Sequence, residues 1–424
     1  MSDRGAMLNA AGESVAVEPI AFDDLGDDEI VVRLAASGVC HTDLHVKITN
    51  GWGMAFPILL GHEGAGIVEH VGRAVTSVRP DDRVVISWRV PCGVCAICRR
   101  GDPVLCQTQR VAQPRVRRAR DGQQLARVLS TGTFATRTVV HAAQAIPVPP
   151  AIPLDKACLI ACGVVTGVGA ALNTAKIRRG SRVAVIGCGA VGLSVVQGAR
   201  IAGADRIVAV DLRPEKLEWA RQFGATDAVD ARSGDPVAAA RAAAGGPLDY
   251  AFEVVGLPAT VAQAVGMVGY GGTVVIVGVP PTDPTVTLPL ARGGLFNKKV
   301  TLTSCSGGDM VPSEFFPRLM RWYLDGTLRL DEMVTREIGL DDVEDAFASA
   351  ADTGLCLRSV SSLECAALPI QRRHEDVRPA RRTLKTIDGL HHGVLGRNIG
   401  ISREFANEFA NRGPRDSSDH CSTD

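Results

Sequence analysis

The sequence predicts an α/β protein in which a doubly wound parallel sheet accompanies a β-rich domain whose loops hold metal. Three observations carry this. The run Ser181-Arg182-Val183-Ala184-Val185-Ile186 reads as a buried strand, and it meets Gly187-Cys188-Gly189-Ala190-Val191-Gly192 and then an apolar helix over Leu193 to Ile201. Short alternating apolar runs separated by tight turns occupy much of residues 10–140. Twelve cysteines occur in the 424 residues, four of them between 92 and 106, a crowding that fits metal chemistry in a reducing compartment better than a disulfide scaffold.

The chain is long enough for two or three domains, each with its own core. Lys plus Arg equals Asp plus Glu at 46 each, so nothing points to a nucleic-acid or membrane partner. No apolar run reaches membrane-spanning length and the N-terminus lacks the layout of a secretory signal, so a cytoplasmic location is expected.

In chain order, residues 10–35 read as two strands around a turn at Leu25-Gly26-Asp27-Asp28. After the run Glu29 to Leu34 comes Gly38-Val39-Cys40-His41-Thr42-Asp43-Leu44-His45, and later Gly61-His62-Glu63-Gly64 and Ala161-Cys162-Gly163. Each residue taken singly is compatible with a packed thiol or a satisfied imidazole. Together, Cys40, His62 and Cys162 are two thiolates and an imidazole that leave a fourth position open, the donor set of a catalytic zinc. Cys92, Cys95, Cys98 and Cys106, with intervals of two, two and seven residues, can enclose one tetrahedral zinc completely.

Residues 107–130 are basic and aperiodic, with Arg110, Arg115, Arg117, Arg118 and Arg120. A solvated surface loop is the first reading, and arginines that meet carboxylates of an anionic substrate are the alternative. Strand character returns over Gly132 to Val140, and the prolines from 147 to 153 mark a connection. A small-residue helix is expected near Val165 to Asn173. The glycines from 187 to 192 allow the backbone to approach a pyrophosphate seated on a helix N-terminus, and Asp211, at the end of Arg206-Ile207-Val208-Ala209-Val210, favours NAD over a 2′-phosphorylated dinucleotide. A helix over Pro214 to Phe223 and strands over Tyr250 to Val255 and Thr273 to Gly278 continue the alternation.

Further on, a strand is expected at Val300 to Ser304, helices near Glu314 to Leu324 and Asp342 to Ala350, and a last strand over Leu355 to Val360. The domains expected are therefore 1–161, with the zinc lobe at 92–106; 162–299 for the nucleotide; 300–363 returning to the first; and 364–424, a polar, unpacked tail with local helix near Ser402 to Ala410.

These boxes, in this order and spacing, together with the closing Leu357-Arg358-Ser359-Val360, resemble the zinc-dependent medium-chain alcohol dehydrogenases over residues 8–363. Trp88-Arg89, the stretch Phe134 to His141 and Ile338-Gly339-Leu340-Asp341-Asp342-Val343 are similar to the class III branch, especially its mycothiol-using members that handle formaldehyde adducts. The resemblance implies a discontinuous GroES-like catalytic domain, a Rossmann cofactor domain, two zinc ions per subunit, NAD, a small-molecule alcohol or thiol-adduct substrate and a homo-oligomer, dimer or tetramer.

It makes Cys40, His62 and Cys162 the catalytic ligands, with Glu63 as an alternative ligand, Asp43 orienting His62, and Thr42 passing a proton to His45. It puts His41 and Arg358 on the pyrophosphate, Thr166 and Val279 on the nicotinamide, Asp211 and Lys216 on the ribose, and Trp88 in the substrate pocket. His45 departs from many thiol-adduct members, and the tail beyond Leu363 has no counterpart in the family. A broad-specificity primary alcohol or aldehyde dehydrogenase is the nearer alternative to a thiol-adduct enzyme, and a non-catalytic nucleotide binder on the same fold is the alternative from a different class; the latter has no need of the ligand trio.

Overall fold

The computed structural model of the protein describes residues 2–49, 53–280, 285–291, 294–353 and 358–360, with backbone alone for 349–353 and 358–360. Its β-rich part is organised on the strand Glu29–Gly38. Ile30, Val32, Leu34 and Ala36 alternate along that strand and are all buried, the period of two that a strand with one face on a core requires. The strand pairs antiparallel with Glu63–Val71 on one side and Arg137–His141 on the other. Its core face closes on Ile20, Leu59, Val68, Val84 and Val140, aliphatic side chains that each contribute roughly 1.5–3 kcal/mol on burial. A five-stranded sheet starting from Arg4–Leu8 packs beside it. That first strand was not foreseen, because five residues around a glycine give too short a pattern to read.

The third sheet has six strands, all parallel, in the spatial order Asp227–Asp230, Arg206–Asp211, Arg182–Ile186, Leu248–Glu253, Val268–Ile276 and Thr301–Ser304. The chain leaves Arg182–Ile186 in one direction and later returns to its other side. That reversal opens a crevice beyond the carboxyl ends of Ile186 and Glu253, where such sheets bind ligands. Pro214–Phe223 forms the expected helix, begun by Pro214 and stopped by Gly224 at φ +117°.

Several expectations change. The sixth parallel strand, Thr301–Ser304, comes from beyond residue 299, where the return segment was expected to begin. A strand-like run does not by itself announce which sheet edge will accept it. The helices Pro236–Ala243 and Pro258–Met267, short and rich in Ala and Val, were not foreseen. Residues 107–130 are not a solvated loop: they contribute the strands Val116–Arg118 and Ala126–Arg127, and Arg118 and Arg127 are buried.

Near the end, Pro312–Leu324 and Val343–Thr353 are helical, and Arg358–Val360 pairs with Arg336–Ile338 and, through Ser359, with Gly38. Residues 355–357 and the expected tail, 364–424, lie outside the described residues. Among the described residues no single helix is long and apolar enough to cross a membrane.

Candidate active site

Cys40 follows the spine strand and leads directly into a helix, His41–Thr49. The helix buries Asp43, Leu44 and Val46, while Thr42 and His45, three residues apart and so on one face, line the cleft. Asp43 is fully buried; its Oδ1 accepts the Gly61 N–H at 2.8 Å and its Oδ2 lies 2.9 Å from His62 Nδ1, close although poorly aligned for a hydrogen bond. Gly61 turns at φ +87°, and a Cβ there would lie 2.3 Å from the Phe134 backbone nitrogen, so the turn that presents His62 requires glycine.

Gly38 pairs with Glu63 across the sheet, and a Cβ on Gly38 would come within 1.9 Å of Glu63 Oε2. The Glu63 carboxylate thus folds over bare backbone and accepts the Gly163 N–H at 3.1 Å, next to Cys162. One atom each of Cys40, His62, Glu63 and Cys162 lies within 4.8 Å of the others.

The charges interlock. A hydrogen bond from the Cys162 thiol is the largest influence holding Cys40 well below the ordinary thiol value, and it pushes Cys162 well above. Burial acts most strongly on His62 and lowers it, yet Asp43 and Cys40 together raise the imidazole well above its usual value. Burial, helped by Cys40, pushes Glu63 up. His62 Nε2 is buried without a hydrogen-bond partner among the described residues. A buried imidazole nitrogen left bare beside two sulfurs is what a zinc with three protein ligands would complete.

The second cluster also fits zinc. The Sγ–Sγ distances are 3.9 Å for Cys92–Cys98, 3.9 Å for Cys95–Cys106 and 3.6 Å for Cys92–Cys106. Sulfurs bound about 2.3 Å from a tetrahedral zinc lie roughly 3.8 Å apart. The N–H groups of Val94 and Cys95 point at Cys92 Sγ, at 3.4 and 3.3 Å, and lower that thiol to about 6. Arg110 latches the lobe by donating to the Cys92 carbonyl at 3.0 and 2.7 Å.

The first ligand cluster and the glycine turn at 187–192 open on one cavity of about 980 Å³. Cys40, Thr42, His45, Glu63 and Cys162 line it together with Gly187, Gly189, Ala190, Val191, Gly192, Asp211 and Lys216. His41, Thr166, Val279 and Trp88 line it as well. His62 is sealed behind the other ligands. The side chain of Arg358 lies outside the described residues.

The glycine turn is tight: a Cβ on Gly192 would lie 1.8 Å from the Gly187 carbonyl oxygen, so the helix Ala190–Ala202 can begin against the strand only without a side chain there. Asp211 is fixed at both oxygens, Oδ2 by the Cys188 N–H at 2.7 Å and Oδ1 by the Arg213 N–H at 3.0 Å. This bare-backbone cradle beside an anchored carboxylate fits a dinucleotide.

Sequence reasoning missed Leu44, Ile48, Leu129 and Cys305, which also line the cleft. Only Ile48 had a local signal, one helical turn beyond His45 on the same face. The arginine alternative is corrected: Arg115 pairs with Glu29 at 2.8 Å, Arg117 with Asp23 at 2.6 Å, Arg118 with Asp121 at 2.6 Å and Arg120 with Glu18 at 3.4 Å, and none of them lines the cleft.

Models of known families match two long segments: the alcohol dehydrogenase GroES-like domain over residues 26–150 and the zinc-binding dehydrogenase over residues 190–325. The chain is 35% identical to a geraniol dehydrogenase of Castellaniella defragrans over 85% of its own length and 97% of that protein. It is 35% identical to an S-(hydroxymethyl)glutathione dehydrogenase of Saccharomyces cerevisiae over 84% of its length and 95% of that protein. The crystal structure of benzyl alcohol dehydrogenase from Acinetobacter calcoaceticus aligns with TM-score 0.78 and 29% identity, covering 85% of this chain and 99% of that one. The shared sheets, the two ligand clusters and these likenesses converge: the chain belongs to the zinc-binding medium-chain alcohol dehydrogenase family, oxidoreductases acting on CH–OH donors.

Proposed function

We propose that the protein oxidises a primary alcohol with NAD, at a zinc held by Cys40, His62 and Cys162, with Glu63 as a spare ligand. The observation that carries this reading is that the ligand trio and the glycine turn serve a single cleft. When bound there, zinc supplies Lewis acidity to the substrate oxygen and NAD supplies the hydride acceptor.

The chain's own residues do the rest. Asp43 fixes the ring of His62, the usual arrangement for a ligating histidine. Thr42 and His45 offer a route for the hydroxyl proton toward solvent. Asp211 and Lys216 take the adenosine ribose, His41 and Arg358 the pyrophosphate, and Thr166 and Val279 the nicotinamide. Cys92, Cys95, Cys98 and Cys106 hold a structural zinc that fastens a lobe without a core of its own.

The substrate end of the cleft favours an uncharged, apolar alcohol. Leu44, Ile48, Trp88 and Leu129 line it, whereas the charged side chains among the described lining residues are Glu63 at the ligand cluster and Asp211, Arg213 and Lys216 at the adenosine end. A thiol adduct, of mycothiol or a related thiol, is the second reading, supported by the likeness to the S-(hydroxymethyl)glutathione dehydrogenase.

A cytoplasmic setting fits nine described cysteines that are all free thiols. A homo-oligomer fits the edge of the parallel sheet, where Tyr270, Phe296 and Leu302 are exposed on consecutive elements. Metal analysis together with NAD reduction tests the proposal: two zinc ions per chain and turnover of geraniol or benzyl alcohol without thiol are expected. Activity with formaldehyde only when the thiol is added would establish the adduct reading instead. One zinc and no turnover would favour a non-catalytic nucleotide binder.

A further inference from the structure

Glu253 ends the strand Leu248–Glu253 and is fully buried, flanked by Ile186 on one neighbouring strand and Ile276 on the other. A carboxylate sealed in a sheet is costly unless its oxygens are satisfied. Here the satisfaction is one-sided. Oε1 accepts the N–H groups of Val255 at 2.9 Å and Gly256 at 2.8 Å and the hydroxyl of Thr260 at 2.7 Å, while Oε2 has no partner among the described residues.

The backbone of the same residue serves a second loop. Its carbonyl accepts the N–H groups of Val277 at 2.8 Å and Gly278 at 3.0 Å. Val255 and Leu257 from the first loop, Thr260 from the first turn of the helix Pro258–Met267, and Val277, Gly278 and Val279 from the second loop all line the cleft. The loops touch at bare backbone: a Cβ on Gly256, at φ +91°, would lie 2.3 Å from the Val279 oxygen, and one on Gly278 would lie 2.2 Å from the Gly256 nitrogen. Val255 also presses on the glycine turn, since a Cβ on Gly187 would be 2.8 Å from Val255 Cγ2. A shift of the Val255–Gly256 turn is therefore passed to two other parts of the cofactor wall.

We propose that Glu253 is a positioning residue for the dinucleotide: its carboxylate holds the Val255–Gly256 turn against Val279 and Gly187 and so sets the width of the cofactor cleft. The inference rests on the reading of that cleft as the NAD site. Glu253 does not touch the reacting atoms; it acts through Val255, Gly256 and Thr260.

The test compares wild type, Glu253→Ala, Glu253→Gln and Thr260→Val in the full-length zinc-loaded protein, by calorimetric titration with NAD and by steady-state kinetics. Glu253→Ala raises the Kd and KM for NAD about tenfold, while the KM for the alcohol and the zinc content stay at wild-type values. Glu253→Gln, whose amide oxygen accepts from the same three donors, remains within about twofold of wild type, and Thr260→Val falls between them.

NAD affinity unchanged in Glu253→Ala, a loss in Glu253→Gln equal to that in Glu253→Ala, or an alcohol KM that rises in step with the NAD KM would each overturn the proposal. If Glu253→Ala fails to fold, the other two variants decide, and Thr260→Val with wild-type NAD affinity overturns it. A wild-type protein with two zinc ions that bound no NAD would remove the reading of the cleft, and the inference with it. Fully retained wild-type binding with an unaffected Glu253→Ala removes the inference alone.

Discussion

The carboxylate of Asp43 meets the imidazole of His62 at 2.9 Å, with both side chains sealed from solvent. One Asp43 oxygen faces Nδ1 and the other holds the Gly61 N–H, so a single residue sets both the orientation of the ring and the turn that delivers it. Asp43→Asn keeps an acceptor for Gly61 but removes the charge beside the ring. Zinc affinity at the catalytic site should fall about 10- to 100-fold, measured by competition with a chelator, while the structural zinc is retained.

The four-cysteine lobe is a separate unit of metal-dependent order. Its short helix, Ala96–Arg99, buries no residue, so the metal rather than a core must hold it. Cys95→Ser should lower the zinc content from two to one per chain and abolish hydrogen-exchange protection across residues 92–106. NAD titration should be unaffected, because none of these cysteines lines the cleft.

On the proposed reading of the cleft, Asp211 carries the choice of dinucleotide. Its two oxygens are pinned by the N–H groups of Cys188 and Arg213, which on that reading sets the carboxylate where a 2′-phosphate would have to sit. Asp211→Asn should move the ratio of kcat/KM for NAD over NADP toward NADP by about tenfold, with the NAD KM rising. Kinetics with the two cofactors check this directly.

Gly38→Ala tests the packing beneath Glu63. The new methyl would come within 1.9 Å of Oε2, so the buried carboxylate has to move and lose its bond to Gly163. Destabilisation of about 1–3 kcal/mol is expected in denaturant unfolding, with loss of the catalytic zinc before the structural one.

Leu129 lines the cleft from a left-handed backbone, φ 48° and ψ 33°, followed by Ser130 at φ 58°. A leucine there costs about 1–2 kcal/mol relative to an ordinary conformation, a strain that tends to be kept where function uses it. Leu129→Gly relieves that strain while deleting a half-buried side chain, so stability should change by no more than about 1 kcal/mol. The preference for benzyl alcohol over ethanol, in kcat/KM, should fall about tenfold.

The chemistry of the site was largely legible in the order of residues. Cys40, His62, Cys162 and the four lobe cysteines declare themselves by residue type, and the glycines from 187 to 192 by their place between a strand and a helix. The helix over Pro214–Phe223 could be read to its ends because a proline and a glycine punctuate it. These are local signals, carried by spacing, periodicity and turn chemistry, and they survive without knowledge of what packs against them.

Other features were decided only by the folded chain. Glu63 reaches the backbone of a residue one hundred positions away, Thr301–Ser304 joins a sheet assigned to an earlier segment, and the arginines of residues 107–130 spend their charge on Glu29, Asp23, Asp121 and Glu18. Glu253 and Leu129 look ordinary in the sequence. Which carboxylate is buried, which strand edge is free and which arginine finds a partner depend on strand register and burial. Those are set by contacts between distant segments, and no short window of sequence contains them.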